Sequence, residues 1–215
     1  MLKIYADPIT INCRKVLAGL QLMKVPYELN LVSFFAGEHT QDQYLSINPN
    51  ATLPTAVDNE LTLWESNAIL QYVADKNGES NFYPPDAEQR ANINRWMFWE
   101  ATNWFASCYV YMLENCAKPL VGADPDVALL EAESERFQKL AGILDSQLER
   151  TTWLCGESVT LADISVAAPI HMHEYAGIPL ADFPNLHQWM TQRIESLPCW
   201  QNTHVGEGFT LGDPL

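Results

Sequence analysis

The chain is short of positive charge. Its 215 residues carry 12 lysines and arginines against 27 aspartates and glutamates, a formal net charge of −15 at pH 7. Nucleic acid and anionic membrane surfaces are recognised by clustered Lys and Arg, so neither is an expected partner. No window approaches the roughly 18–20 uninterrupted apolar residues of a membrane span. The start Met1-Leu2-Lys3-Ile4-Tyr5 reaches a charge at once and has no apolar core of an export signal. The 5 cysteines (Cys13, Cys108, Cys116, Cys155, Cys199) are odd in number, widely spaced and free of any CxxC. That excludes a disulfide framework or structural zinc site as the first expectation and favours reduced thiols in a cytoplasmic protein. His171-x-His173 invites a metal reading, yet residues two apart on a helix point about 200° from each other. No metal is expected.

What is present is an ordinary globular mix, 47% apolar and 18% charged, which excludes disorder. The length holds one large domain or two small ones. Seven tryptophans are present, and Trp96, Trp99 and Trp104 crowd one stretch, consistent with an aromatic-lined pocket or with a core.

Residues 3–6 read as a short strand closed by Asp7-Pro8, and a helix is expected over about 12–23. Residues 27–32 alternate with period two, the mark of a half-buried strand. A loop with Gly37 and a short helix near 41–46 follow. Residues 55–58 and 61–64 flank Asn59-Glu60 as a hairpin, and Ser66 reads as the N-cap of a helix to about 76. The order is βαβ, then αββα. Beyond Asp86 the pattern turns helical, over 88–116, 125–149, 164–175 and 184–197, with no convincing strand. Thr160-Leu161-Ala162-Asp163 resembles a capping box with Asp in place of Glu. The break between the parts, 77–85, is rich in Gly, Ser, Asn and Pro. The expected division is an α/β domain over 1–78, a linker over 79–86, an all-α domain over 87–205 and a tail over 206–215.

Three spots carry chemistry. Pro54 precedes a strand, and X-Pro is where a cis peptide is accessible. A cis bond would turn the Leu53 N–H and C=O outward, where an extended peptide could pair with them; an ordinary trans proline fits the sequence as well. At the strand-to-helix turn, Thr10 or Asn12 stands at a helix start. A hydroxyl there can donate to a thiolate, or serve only as a cap. Glu65-Ser66 lies where a strand ends and a helix begins. The serine and backbone N–H groups suit a ligand carboxylate and Glu65 a ligand ammonium, or the pair is a plain helix start.

In this order, and followed by a helical domain with a capping box, the three resemble a cytosolic glutathione transferase. The match is carried by Thr10-Ile11-Asn12-Cys13-Arg14-Lys15-Val16, Gly37-Glu38-His39, Asn48-Pro49 through Leu53-Pro54, Leu63-Trp64-Glu65-Ser66-Asn67-Ala68-Ile69 and Thr160-Leu161-Ala162-Asp163. Phe183-Pro184-Asn185-Leu186 with Trp189 also fits, and the likeness spans about residues 1–203. Spacing, and the lack of a tyrosine at the turn, resemble the phi-like and bacterial serine-type branches. The resemblance implies a thioredoxin-like N-terminal domain, a helical C-terminal domain and a homodimer. Glutathione is implied as co-substrate, with no other cofactor, and a small hydrophobic electrophile as its partner.

Residue by residue, Glu65 and Ser66 match the holders of the γ-glutamyl group. Leu53, before Pro54, matches the residue that pairs with the cysteinyl backbone, and His39 the group near the glycyl carboxylate. Thr10 falls on the thiolate-stabilising hydroxyl; Cys13, Asn12 and backbone donors stay open as alternatives. Phe34, Phe35, Phe105, Tyr109 and Met112 are candidates for the electrophile pocket; the last three form a stripe that could equally be core, and Phe34 and Phe35 could instead belong to a dimer contact. The chain departs from the pattern with Thr10 for Ser, Ala51 for Gly, Thr52 for Gln or Lys and Thr40 for Lys. The implied activity is conjugation of glutathione. Thiol-transferase, peroxidase or isomerase chemistry, and a non-catalytic glutathione-binding module, remain as alternatives.

Overall fold

Leu2, Ile4 and Ala6 are buried while Lys3 is exposed, so the first strand sends alternate side chains into a core. The computed structural model describes residues 1–78 and 81–203. The elements run β1 (Leu2–Ala6), α1 (Ile11–Leu22), β2 (Tyr27–Leu31), α2 (Asp42–Leu45), β3 (Thr55–Asp58), β4 (Leu61–Leu63) and α3 (Ser66–Asn77). There follow α4 (Ala87–Trp99), α5 (Phe105–Met112), α6 (Lys118–Leu120), α7 (Val127–Leu148), α8 (Leu161–Ala167), α9 (Pro184–Gln188) and α10 (Pro198–Gln201). They form two units, one of Met1–Tyr83 with the residues from Pro198 on, the other Pro84–Leu197. Residues 79–80 of the expected linker and the expected tail, 206–215, lie outside the described residues.

The first unit is a mixed sheet in the order β2-β1-β3-β4. β1 runs parallel to β2 (Leu2 opposite Tyr27) and antiparallel to β3 (Tyr5 opposite Thr55), and β3 is antiparallel to β4 (Ala56 opposite Leu63). α1 and α3 pack together, burying Val16, Leu17 and Leu20 of the one and Ile69, Leu70 and Val73 of the other. Gly19 sets their distance, because a Cβ there would overlap the Leu70 side chain. The α/β unit followed by a helical one is the architecture expected from the sequence.

Details differ. Ser66 is the first residue of α3 and Glu65 its cap, with φ 72°, because the Ser66 hydroxyl is engaged elsewhere. β2 shows no clean alternation, since it is the edge of the sheet. The helix expected over 164–175 stops at Ala167 and gives way to a 3-10 turn containing Pro169, which has no N–H to continue the ladder. The segments expected as single helices over 88–116 and 184–197 are continuous helix but include π turns at Glu100–Trp104, Leu113–Ala117 and Trp189–Ile194, the last ending the second segment at Ile194.

In the helical unit the tryptophan cluster is core. Trp104 is fully buried, stacks between Trp99 and Phe137, and donates its indole N–H to the Val166 carbonyl at 3.0 Å. Asp163 accepts from the Thr160 N–H at 2.8 Å and the Leu154 N–H at 2.9 Å. Those bonds hold the start of α8 as the capping pattern requires. Burial outweighs them and pushes the Asp163 carboxyl up to about 6.

Candidate functional site

The sheet's register brings four chain segments to one end. β1 and β2 are parallel, so both exit there, into residues 7–10 and 33–40. β3 enters from that end, after Leu53-Pro54, and β4 leaves toward it, into Trp64-Glu65-Ser66. The polar residues singled out in the first 80 positions therefore meet because of topology, although up to 56 residues separate them.

At the first turn, Thr10 has extended backbone and precedes α1; its N–H and its hydroxyl both donate to the Asp7 carbonyl at 3.0 Å. The Asp7 carboxylate is buried and splits its oxygens, accepting from the Ile9 N–H at 3.2 Å and from the Phe34 N–H at 2.8 Å. This ties the turn to the Phe34 loop. There His39, in a 3-10 turn over Glu38–Thr40, stacks on Phe34 with ring centroids 4.7 Å apart. Phe34 and Phe35 meet edge to face and are both exposed. The His39 Nδ1 is buried without a hydrogen-bond partner among the described residues.

Cys13 is 0% exposed, and burial pushes its thiol up to about 12 despite hydrogen bonds with Thr10 and Asp7. That environment is the opposite of the electropositive, accessible one a reactive thiolate needs. Its neighbour Arg14 is buried too, 4.5 Å over the Trp200 ring, and donates to the Trp200 carbonyl at 3.3 Å.

The Leu53–Pro54 bond is cis. The segment before it is pinned from below. The Asn48 amide donates to the Thr52 carbonyl at 2.9 Å and to Thr55 Oγ1 at 3.0 Å, and the buried Tyr44 hydroxyl donates to the same carbonyl at 2.6 Å. Burial raises the Tyr44 phenol above its ordinary value. With Thr52 held, Leu53 is half-buried, and among the described residues its own N–H and C=O take no hydrogen bond. Ala51 adopts φ 54°, a left-handed conformation that suits glycine better.

Glu65 is exposed at the cap of α3, and Ser66 is buried behind it. The Ser66 hydroxyl donates to Asn12 Oδ1 at 3.2 Å and accepts from the Lys15 ammonium at 3.2 Å. Thus α1 and α3, each 12 residues long, have their N-termini joined through one serine. Asp7, Lys15, Tyr44 and Asn48 were not singled out for a role by sequence reasoning. Only the spacing of Lys15, one helical turn after Asn12, hinted at a shared face.

Phe105 and Tyr109 of α5 stack with centroids 5.6 Å apart. They and Met112 lie on the partly exposed side of the helix, while Ser107, Cys108 and Tyr111 face the core. The stripe is therefore not core of the helical unit. His171 pairs with the Ala168 carbonyl at 2.8 Å and His173 with Glu195 at 3.3 Å, and no metal-holding cluster of three or more His, Cys, Asp or Glu occurs among the described residues.

Helix N-termini with a free backbone edge beside them suit an anionic, peptide-like ligand. Comparison with known proteins points the same way. Residues 2–75 match the family model of the glutathione S-transferase N-terminal domain, and residues 103–198 that of the C-terminal domain. A solved glutathione S-transferase from Pseudomonas fluorescens is 31% identical, with 92% of this chain and 96% of that one covered and a TM-score of 0.81. Glutathione transferase F7 from Populus trichocarpa is 26% identical over 94% and 97% of the two chains, TM-score 0.87. An epsilon-class glutathione S-transferase from the housefly, Musca domestica, is 28% identical over 95% and 92%, TM-score 0.80. Fold, site architecture and these likenesses agree: the chain belongs to the glutathione S-transferase superfamily.

Proposed function

We propose that the protein binds glutathione in the first unit and catalyses attack of its thiolate on a small hydrophobic electrophile. The reading is carried by the convergence of the Leu53 backbone edge with the Glu65-Ser66 start of α3 at one end of the sheet. The Leu53 N–H and C=O pair with the cysteinyl unit as a short added strand. Ser66 and the α3 N-terminus take the γ-glutamyl carboxylate and Glu65 the ammonium, while His39 faces the glycyl carboxylate.

Thr10 stabilises the thiolate. Its hydroxyl must leave the Asp7 carbonyl to donate to sulfur, giving up a bond worth about 1 kcal/mol. A thiolate anion accepts more strongly than a neutral carbonyl, so the exchange is favourable. Each unit by which the thiol pKa falls is about 1.4 kcal/mol of preference for the anion. Holding the electrophile beside the bound thiolate contributes the remainder by proximity. Phe34, Phe35, Phe105, Tyr109 and Met112 offer the aromatic and thioether surface for that electrophile. The domain that binds glutathione is 1–78 and the one that contributes to the electrophile pocket 87–205; the working form is a cytoplasmic homodimer.

The buried Cys13 weighs against mixed-disulfide chemistry through the protein's own thiol. The experiment is a panel of glutathione conjugation to a chloronitrobenzene, peroxide reduction and mixed-disulfide reduction, alongside calorimetric titration with glutathione. Binding with conjugation supports the proposal. Binding with only peroxide or disulfide turnover replaces it by the redox alternatives, and binding with no turnover replaces it by a glutathione-binding module.

A further inference from the structure

Lys15 is only 1% exposed in a chain that has few cations to spare. A buried ammonium is costly unless its surroundings use the charge. Helical spacing puts residues 12 and 15 on one face of α1, the helix that packs on α3. From there the Lys15 ammonium donates to Ser66 Oγ at 3.2 Å.

That bond settles what the serine can do. An ammonium has three donors and no acceptor, so Ser66 must accept from it and its own O–H points away. In the structure the O–H goes to Asn12 Oδ1, 3.2 Å distant. A ligand carboxylate is the stronger acceptor, and the hydroxyl is already committed to donating.

The electrostatics favour the same ligand. Ser66 opens α3, so the ammonium sits at the positive end of that helix dipole, where a cation is repelled. A helix N-terminus favours an anion, and the exposed Glu65 beside it offers the opposite charge. Carboxylate and ammonium on one carbon, as in an amino-acid head group, fit both.

We propose that Lys15 is a positioning residue for the α-carboxylate of the γ-glutamyl group, aligning Ser66 as a donor and supplying the buried charge behind it. This rests on the glutathione reading above. Its test compares calorimetric affinities for glutathione and for γ-aminobutyryl-cysteinyl-glycine, the same tripeptide without the α-carboxylate, on wild type, Lys15→Met and Lys15→Arg. Wild type is expected to prefer glutathione by about tenfold or more, the effect of one charge-assisted contact. Lys15→Met should lose that preference while keeping its affinity for the analogue, and Lys15→Arg should keep it. Should Lys15→Met fail to fold, Lys15→Gln, which retains a donor without charge, carries the same comparison. A folded uncharged variant with the wild-type preference overturns the role of Lys15 and leaves glutathione binding standing. Wild type that binds both peptides equally overturns it together with the assignment of Ser66 to that carboxylate, leaving glutathione binding itself standing, and wild type that binds neither overturns glutathione binding as well.

Discussion

The hydroxyl of Ser66 donates to Asn12 Oδ1 across 3.2 Å, joining the first residue of α3 to the first turn of α1. Residues 54 positions apart thereby share one polar cluster, and the two helix N-termini open onto the same place. Ser66→Ala should weaken glutathione binding about 10- to 100-fold, the range of a lost hydrogen bond to a charged group. The loss should appear in KM and Kd, with kcat changed much less, because the serine lies at the γ-glutamyl end. Steady-state kinetics with varied glutathione separate the two.

Thr10 and Cys13 make opposite predictions. If the hydroxyl stabilises the bound thiolate, Thr10→Ala should cut conjugation near neutral pH about tenfold or more and move the pH–rate profile to the alkaline side. Removing a donor to the anion raises the thiol pKa toward its free value of about 8.5. Thr10→Ser should retain the activity. Cys13→Ala should leave the profile in place, since burial holds that thiol up at about 12 and it is protonated throughout the working range. Rates from pH 6 to 9 on all three variants check this.

Two small residues of the first unit should respond in opposite directions. Ala51 has φ 54°, so Ala51→Gly removes a steric penalty of about 1 kcal/mol and gives part of it back as unfolded-chain entropy. Its melting temperature should be unchanged or slightly raised. Gly19→Ala places a methyl where the Leu70 side chain already lies and should destabilise by about 1–3 kcal/mol. Thermal unfolding followed by circular dichroism reads both.

Asp58, at the end of β3, ties the hairpin to α3. Its carboxylate accepts from the Tyr72 hydroxyl at 2.9 Å and pairs with Lys76. These bonds, Lys76 first, hold it below its ordinary value of 3.8. A depressed carboxylate contributes stability that is complete above that ordinary value and lost as pH falls through the folded one. Denaturant midpoints should therefore drop on acidification below about pH 4. Asp58→Asn should be less stable at neutral pH and should show a smaller drop.

Much of both units could be read along the chain because the signals are local. The alternation of Leu2, Ile4 and Ala6, the turn at Asn59-Glu60 and the reach of Asp163 back to Thr160 each depend on residues within a few positions of one another. Pro54 marked the place of a cis bond because only an X-Pro bond makes one accessible. The stop of α8 near Pro169 was in the sequence as well, but apolar spacing through to Tyr175 masked it.

What no local pattern carries is the partner across the fold. Ser66 reads as an N-cap until α1 supplies Asn12 and Lys15 to engage its hydroxyl. Asp7 looks like turn punctuation until the loop at Phe34 returns to its second oxygen. Cys13 and Thr10 differ by less than one helical turn, and burial decides that one is a sealed thiol and the other the residue at the open turn. The sequence by itself determined the family, the order of elements and the residue types at each turn, because these rest on short-range preference and motif. Tertiary structure alone decided which of those groups meet, which are buried and which way each proton points. Those depend on desolvation and on hydrogen bonds between segments that only the sheet's register brings together.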